Sequence, residues 1–286
     1  QGVDINCYDM HEMTPLHWAT QCGLTNTVEY LVEKGANLGA RDIDGLVPMH
    51  LAAGQGYVFL LNYLKEVGAE QEAKSKDGVA PLDRIARNGH TEMGKFSDLE
   101  VKTNNGNTPL HLAASGGANY AIKYLLENGV NLEARNDDEY TPLHMAADKG
   151  NLETVKYLME IGANLRSRTK DDLTPMHLAT INGRTEVVRY LIGMGALLKG
   201  RDKNDRNALR LATRKRFMAR DNSIQHLAAM NGHTETLKCL KESGIDLEAT
   251  SKNGDTPLHF ASSHGNTEVV KYLVESGVDQ RKRNKI

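Results

Sequence analysis

Cysteine is scarce in this chain, with three among 286 residues. Cys7, Cys22 and Cys239 show neither the even count of a disulfide framework nor the close spacing of a metal knuckle, so neither device can hold the fold together. Aromatic residues make up 5% with a single tryptophan, which excludes a core built on large rings. An excess of one charge is missing too: 35 basic side chains face 37 acidic ones, and a formal charge of -2 argues against a general nucleic-acid binder. The stretch Met49–Leu64 is interrupted by His50, Gln55, Asn62 and two glycines, too polar to span a bilayer. The opening residues do not read as a secretory leader. What remains, 40% apolar and 25% charged residues, is the make-up of a folded chain, not a collagenous or disordered one.

Proline is equally sparse, and its placement is the main signal. The seven prolines are Pro15, Pro48, Pro81, Pro109, Pro142, Pro175 and Pro257, separated by 33, 33, 28, 33, 33 and 82 residues. The last gap is 33 + 16 + 33 if two copies without proline sit at Ala208 and Ile224. Every proline then holds one phase of a repeat, and self-similarity at this period marks a stacked array.

The text around the prolines recurs: Thr14-Pro15-Leu16-His17, Thr108-Pro109-Leu110-His111, Thr141-Pro142-Leu143-His144 and Thr256-Pro257-Leu258-His259, with Val47 to His50 and Thr174 to His177 as close variants. Threonine suits a helix N-cap, and proline suits the first helical turn, where its missing N–H costs nothing. In one unit Leu110, Ala113 and Ala114 mark a short first helix, Gly117 interrupts, and Ile122, Leu125 and Leu126 mark a second. Gly129 then ends the second helix, and Lys102–Asn107 illustrates the extended finger that precedes each unit. Helices this short cannot stand alone, so the copies must stack to bury their apolar faces.

These motifs resemble the ankyrin repeat family over nearly the whole chain. The resemblance implies an all-α solenoid of stacked helix-turn-helix units with protruding β-hairpin or loop fingers. The copies span about residues 7–39, 40–72, 73–100, 101–133, 134–166, 167–199, 200–215, 216–248 and 249–281, with a partial copy at 1–6 and the start of another finger at 282–286. The third is five residues short and the seventh about 17 short. The array resumes in phase after both, so residues of a longer polypeptide are expected to be missing near Phe96–Asp98 and Thr213–Asp221. Both ends read as parts of further copies, so the chain is expected to be a segment of a larger protein.

Two columns of residues invite a chemical reading. His17, His50, His111, His144, His177, His226 and His259 share one position; the resemblance implies that each bonds a neighbouring finger's backbone. Tyr30, Tyr63, Phe96, Tyr124, Tyr157, Tyr190 and Tyr272 share another, as packing residues whose tyrosine hydroxyls stay wet. No catalytic constellation and no calcium-loop spacing emerges, so neither an enzyme nor a cofactor is expected.

The resemblance therefore implies a non-catalytic scaffold that binds proteins through finger tips and a concave face. The alternative is a targeting or assembly segment of a larger toxin, secreted effector or channel. Two surfaces are candidates. On the sixth and seventh fingers Arg166, Arg168, Lys170 and Lys199, Arg201, Lys203 fall on one face of an extended strand, with Arg206 nearby, and fit an acidic protein partner. On earlier fingers Glu72, Glu100 and Glu133 offset the basic residue. At the other end Met10, Met13, Ile43, Leu46 and Val79 place an apolar strip at tips that are usually polar. Nucleic acid is not expected as a partner, nor is insertion of this segment into a membrane. The unpaired cysteines favour the cytoplasm, with secretion if the parent is a toxin or effector.

Overall fold

The computed structural model describes residues 4–90, 98–195, 223–251 and 253–278. The chain divides into two units, residues 1–137 and 138–286. In the first, α1 (Pro15–Gln21) and α2 (Thr25–Glu33), α3 (Pro48–Gln55) and α4 (Val58–Glu66), and α6 (Pro109–Gly116) and α7 (Asn119–Glu127) form helical hairpins, with α5 (Pro81–Asn88) between the second and third pairs. In the second, the pairs are α8 (Pro142–Lys149) and α9 (Leu152–Glu160), α10 (Pro175–Ile181) and α11 (Thr185–Gly193), α12 (Ile224–Met230) and α13 (Thr234–Glu242), and α14 (Pro257–Ser263) and α15 (Thr267–Glu275). Among the described residues all regular structure is helical, so the fingers are loops and not β-hairpins. They close on one tight turn, as where Asp42 N–H donates to Leu46 O at 3.0 Å.

All seven prolines open a helix. The residue before each is extended, as in Thr14 (φ -86°, ψ 166°), and the ring lies where a helix has no use for the N–H. The first helix of the fourth copy ends at Gly117, whose φ of 76° is the left-handed conformation that turns the chain into α7. Helices of seven to nine residues are held by packing, not by intrinsic helicity.

In the first unit α1, α3, α5 and α6 stack in that order; in the second, α8, α10, α12 and α14 form one row and α9, α11, α13 and α15 the other. Alanine pairs such as Ala52–Ala53, Ala113–Ala114, Ala146–Ala147 and Ala228–Ala229 are fully buried in the first-helix row and let the backbones approach. Leu60, Leu64, Ile122 and Leu125 fill the first unit's core from the second-helix row; Leu158, Val188, Leu191, Leu237 and Leu273 do so in the second. Of the recurrent column on the second helices, Tyr63, Tyr124, Tyr157, Tyr190 and Tyr272 are half-buried beside these and Tyr30 is exposed; Phe96 lies outside the described residues.

The sixth copy packs directly on the eighth. α10 meets α12 and α11 meets α13, His233 Nε2 donates to Ile181 O at 2.7 Å, and the hydroxyls of Thr185 and Thr236 lie 2.9 Å apart. The sequence treats a truncated copy as leaving its neighbours without a stacking surface. The structure shows that the sixth and eighth copies supply that surface to each other, because each presents the same buried alanine and leucine faces. The two places where residues are expected to be missing, and the copy at 200–215, lie outside the described residues.

The histidine column is structural. Backbone N–H groups of Thr14, Val47, Thr108 and Thr141 donate to the Nδ1 of the histidine three residues on, at 3.1 to 3.2 Å. An N–H can only donate, so Nδ1 is bare and the proton sits on Nε2. That proton is donated to the next finger: His17 to Leu46 O at 3.1 Å, His50 to Val79 O at 2.9 Å, His144 to Leu173 O at 3.1 Å and His226 to Asp255 O at 3.1 Å. Burial lowers the pKa of His17 and His226 and pushes His50 down to about 4.

A histidine kept neutral in the fold stabilises above its unfolded pKa of 6.5 and loses that contribution as pH falls toward 4. For His50 this is on the order of 3 kcal/mol at most. Urea unfolding at pH 7.5 and 4.5 should therefore show an acid-induced loss that is smaller in His50→Gln, which can keep both hydrogen bonds but cannot charge.

Candidate functional site: the finger surfaces

Five of the described finger tips are joined to the preceding finger by a backbone bond. In the first unit Ile43 N–H donates to His11 O at 3.0 Å, Lys76 to Asp44 O at 3.0 Å, Asn104 to Asp77 O at 3.1 Å and Asp137 to Asn105 O at 3.1 Å. In the second, Lys170 donates to Asp138 O at 3.0 Å. This ladder was not read from the sequence, since it involves only main-chain atoms and no residue type marks it. It fixes the pitch at which finger side chains are presented.

The basic column has an internal task on some fingers. Arg41 Nη1 donates to Gly45 O at 2.9 Å and to Lys74 O on the next finger, and Lys74 Nζ donates to Lys102 O at 2.8 Å. These cations staple finger to finger through carbonyl groups, so their appearance at that position follows from the stack.

The sixth finger follows the two-residue alternation. Arg166, Arg168 and Lys170 are exposed, while Ser167 and Thr169 between them are buried. No acid is interleaved among these three, but one reaches the edge from beyond them. Asp172 takes a left-handed conformation (φ 64°), and its carboxylate reaches back to Arg168 Nη1 at 2.8 Å. The turn at the tip brings the acid round to the basic edge. Lys199, Arg201, Lys203 and Arg206 lie outside the described residues.

The apolar strip is narrower than its sequence suggests. Met10 is 86% exposed and Ile43 48%, whereas Met13 and Val79 are half-buried and Leu46 is buried. Leu46 is withdrawn because both its backbone groups are used: its N–H donates to Asp42 Oδ1 at 2.8 Å, and its carbonyl accepts from His17. Two residues that the sequence reading left out join the surface: Tyr8, 57% exposed, and Trp18, 47% exposed on α1. Trp18 follows the motif histidine, a place held by buried Leu51, Leu112, Leu178 and Leu227 in other copies, so its departure from that column was a legible signal.

Asp83 was also passed over. It stands where other copies carry the histidine, and its Oδ2 accepts from Ala80 N–H at 2.8 Å as a histidine Nδ1 would. Its Oδ1 is buried without a hydrogen-bond partner, and burial pushes the carboxyl up to about 7.

Among the described residues no group of three or more His, Cys, Asp or Glu side chains is arranged to hold a metal ion, and no helix is long and apolar enough to cross a membrane. The class defined by this geometry is a repeat array of stacked helical hairpins joined by loops.

Comparison with family models places it more closely. The model described as ankyrin repeats (3 copies) matches residues 82–169 and 215–284, and that described as ankyrin repeat matches 11–43 and 171–208. The chain belongs to the ankyrin repeat family. A comparison with curated proteins found no match. Ankyrin repeats are generally protein–protein interaction modules and typically non-catalytic scaffolds.

Proposed function

We propose that this chain is a non-catalytic scaffold that captures protein partners on its finger tips and the adjoining first helices. The observation that carries the reading is the sixth finger, where Arg166, Arg168 and Lys170 stand exposed above buried Ser167 and Thr169. Neighbouring cations two residues apart on this extended edge lie about 7 Å apart, inside the ~8 Å Debye length at physiological salt, so with Arg168 offset by Asp172 the edge keeps a positive field that favours an acidic patch on the partner. The three cysteines, none of them in a disulfide, fit a reducing compartment such as the cytoplasm.

The test leaves the Arg168–Asp172 pair untouched. Arg166→Glu combined with Lys170→Glu, in a chain shown by circular dichroism to be folded, should weaken capture of a cross-linked acidic partner about tenfold at low salt and less at high salt. Capture unchanged at low salt removes this finger from the interface.

A further inference from the structure

The first copy has the opposite electrostatic character. From Asp4 to Glu33 the sequence holds Asp4, Asp9, Glu12, Glu29 and Glu33 and no lysine or arginine; Lys34 is the first. On its finger side the exposed residues include Tyr8, Asp9, Met10, His11, Glu12 and, from α1, Trp18, with Ile43 and Asp44 on the next tip, where exposed Arg41 donates to the Gly45 and Lys74 carbonyls. This is an apolar surface set among carboxylates.

Trp18 is held in position. Its indole Nε1–H donates to Asp9 Oδ2 at 2.9 Å, while Asp9 Oδ1 accepts from the backbone N–H groups of His11 at 2.8 Å and Met13 at 2.9 Å. These donors, Met13 and Trp18 foremost, hold the Asp9 carboxyl below its usual range, so it remains an anion. The ring edge is thus tied to the finger by a charged acceptor, and almost half of the side chain stays open to solvent. A fixed aromatic face gives up little conformational freedom when a ligand covers it, which is the property of an interface anchor. An indole face attracts a cation, and a carboxylate at its edge strengthens that preference. A carboxylate-bearing partner would be repelled by Asp9, Glu12 and Asp44, and a neutral apolar one would leave their charges without counterparts.

We propose that the first two fingers and Trp18 form a docking surface for a cationic, apolar protein segment, with an arginine or lysine side chain laid over the Trp18 ring and aliphatic side chains against Met10 and Ile43. The proposal rests on the scaffold reading above and adds that the chain takes partner surfaces of opposite sign at two separate places.

Trp18 is the only tryptophan, so its emission reports on this surface alone. The full chain is titrated with three fluorescein-labelled dodecapeptides of equal apolar content: Arg/Leu, Gln/Leu and Glu/Leu. The Arg/Leu peptide should shift or quench the Trp18 emission and bind at least tenfold more tightly than the other two, with an affinity that falls as salt is raised. Glu12→Lys with Asp44→Lys, which keeps the indole and its Asp9 bond, should lower that affinity at least fivefold. Trp18→Ala, followed by peptide anisotropy after its fold is checked by circular dichroism, should do the same.

Equal binding of the three peptides, or Arg/Leu binding that leaves Trp18 emission and both variants unaffected, overturns the proposal. Neither result bears on the Arg166 and Lys170 substitutions, which test the scaffold reading on a different finger.

Discussion

At pH 8, Asp83→Asn is expected to make the chain more stable by about 4 kcal/mol, a gain that shrinks to about 2 kcal/mol by pH 5 and vanishes only below the unfolded pKa of 3.8. In other copies a neutral histidine accepts a backbone N–H on one side of its ring and donates to the next finger on the other. Asp83 reproduces the accepting side through Ala80, while its second oxygen is buried with no partner. A protonated carboxyl has both properties, an acceptor oxygen and a donor O–H; an ionised one has only acceptors.

The direction of the pKa shift agrees with this geometry. Desolvation is the main cause and Asp98 adds to it, outweighing the Ala80 hydrogen bond and the charge of Lys74, which act in the opposite sense. A group raised from 3.8 to about 7 in the fold contributes stability that is fully present below the unfolded value and is lost as pH rises through 7. Three units correspond to on the order of 4 kcal/mol. Urea titrations of wild type and Asp83→Asn at intervals from pH 3.5 to 8.5 should give curves that diverge as pH rises from about 4 to about 7 and run parallel above it. Curves that stay parallel between about pH 4 and 7 would show that the carboxyl is solvated and the expectation wrong. The trend is opposite to that of His50, so the two variants separate contributions that overlap in the wild type.

Gly116→Ala is expected to destabilise the first unit by about 2 kcal/mol, within the range for an overpacked interior. Alanine is normally favoured over glycine in a helix by up to ~1 kcal/mol, so the sign depends on space. Gly116 is the last residue of α6, and a methyl group there would overlap the backbone carbonyl of Arg87 on α5. A main-chain carbonyl inside a neighbouring helix cannot step aside as a flexible side chain can, so the helices must part. Gly193, the last residue of α11, is the control: among the described residues nothing lies within 4 Å of a methyl group built on it. Gly193→Ala should be neutral or slightly stabilising. Thermal and urea unfolding of the two variants should give changes of opposite sign, and equal effects would show that helix propensity alone decides both.

Much of the architecture was legible because repetition multiplies weak signals. One proline after one threonine is a poor marker of a helix start. Seven in phase placed the first turns of α1, α3, α5, α6, α8, α10 and α14. The histidines were equally readable as a column. Surface chemistry was less so, because each recognition residue occurs once. Leu46 looked like a tip residue and is buried by the bonds of its own turn, while Arg168 looked like a free cation and is met by Asp172. Trp18 occupies a position that other copies fill with buried leucine, and is an exposed ring tied to Asp9.

The sequence alone determined the repeat, its phase, its helix starts and the apolar positions that must be covered, since these follow from backbone sterics and periodicity within about thirty-three residues. The tertiary structure decided which copies mate across the short seventh copy, how closely α6 approaches α5, and which finger side chains remain available. Those outcomes depend on distances between segments remote along the chain, and a hydrogen bond or a clash is settled by a fraction of an ångström that no local pattern encodes.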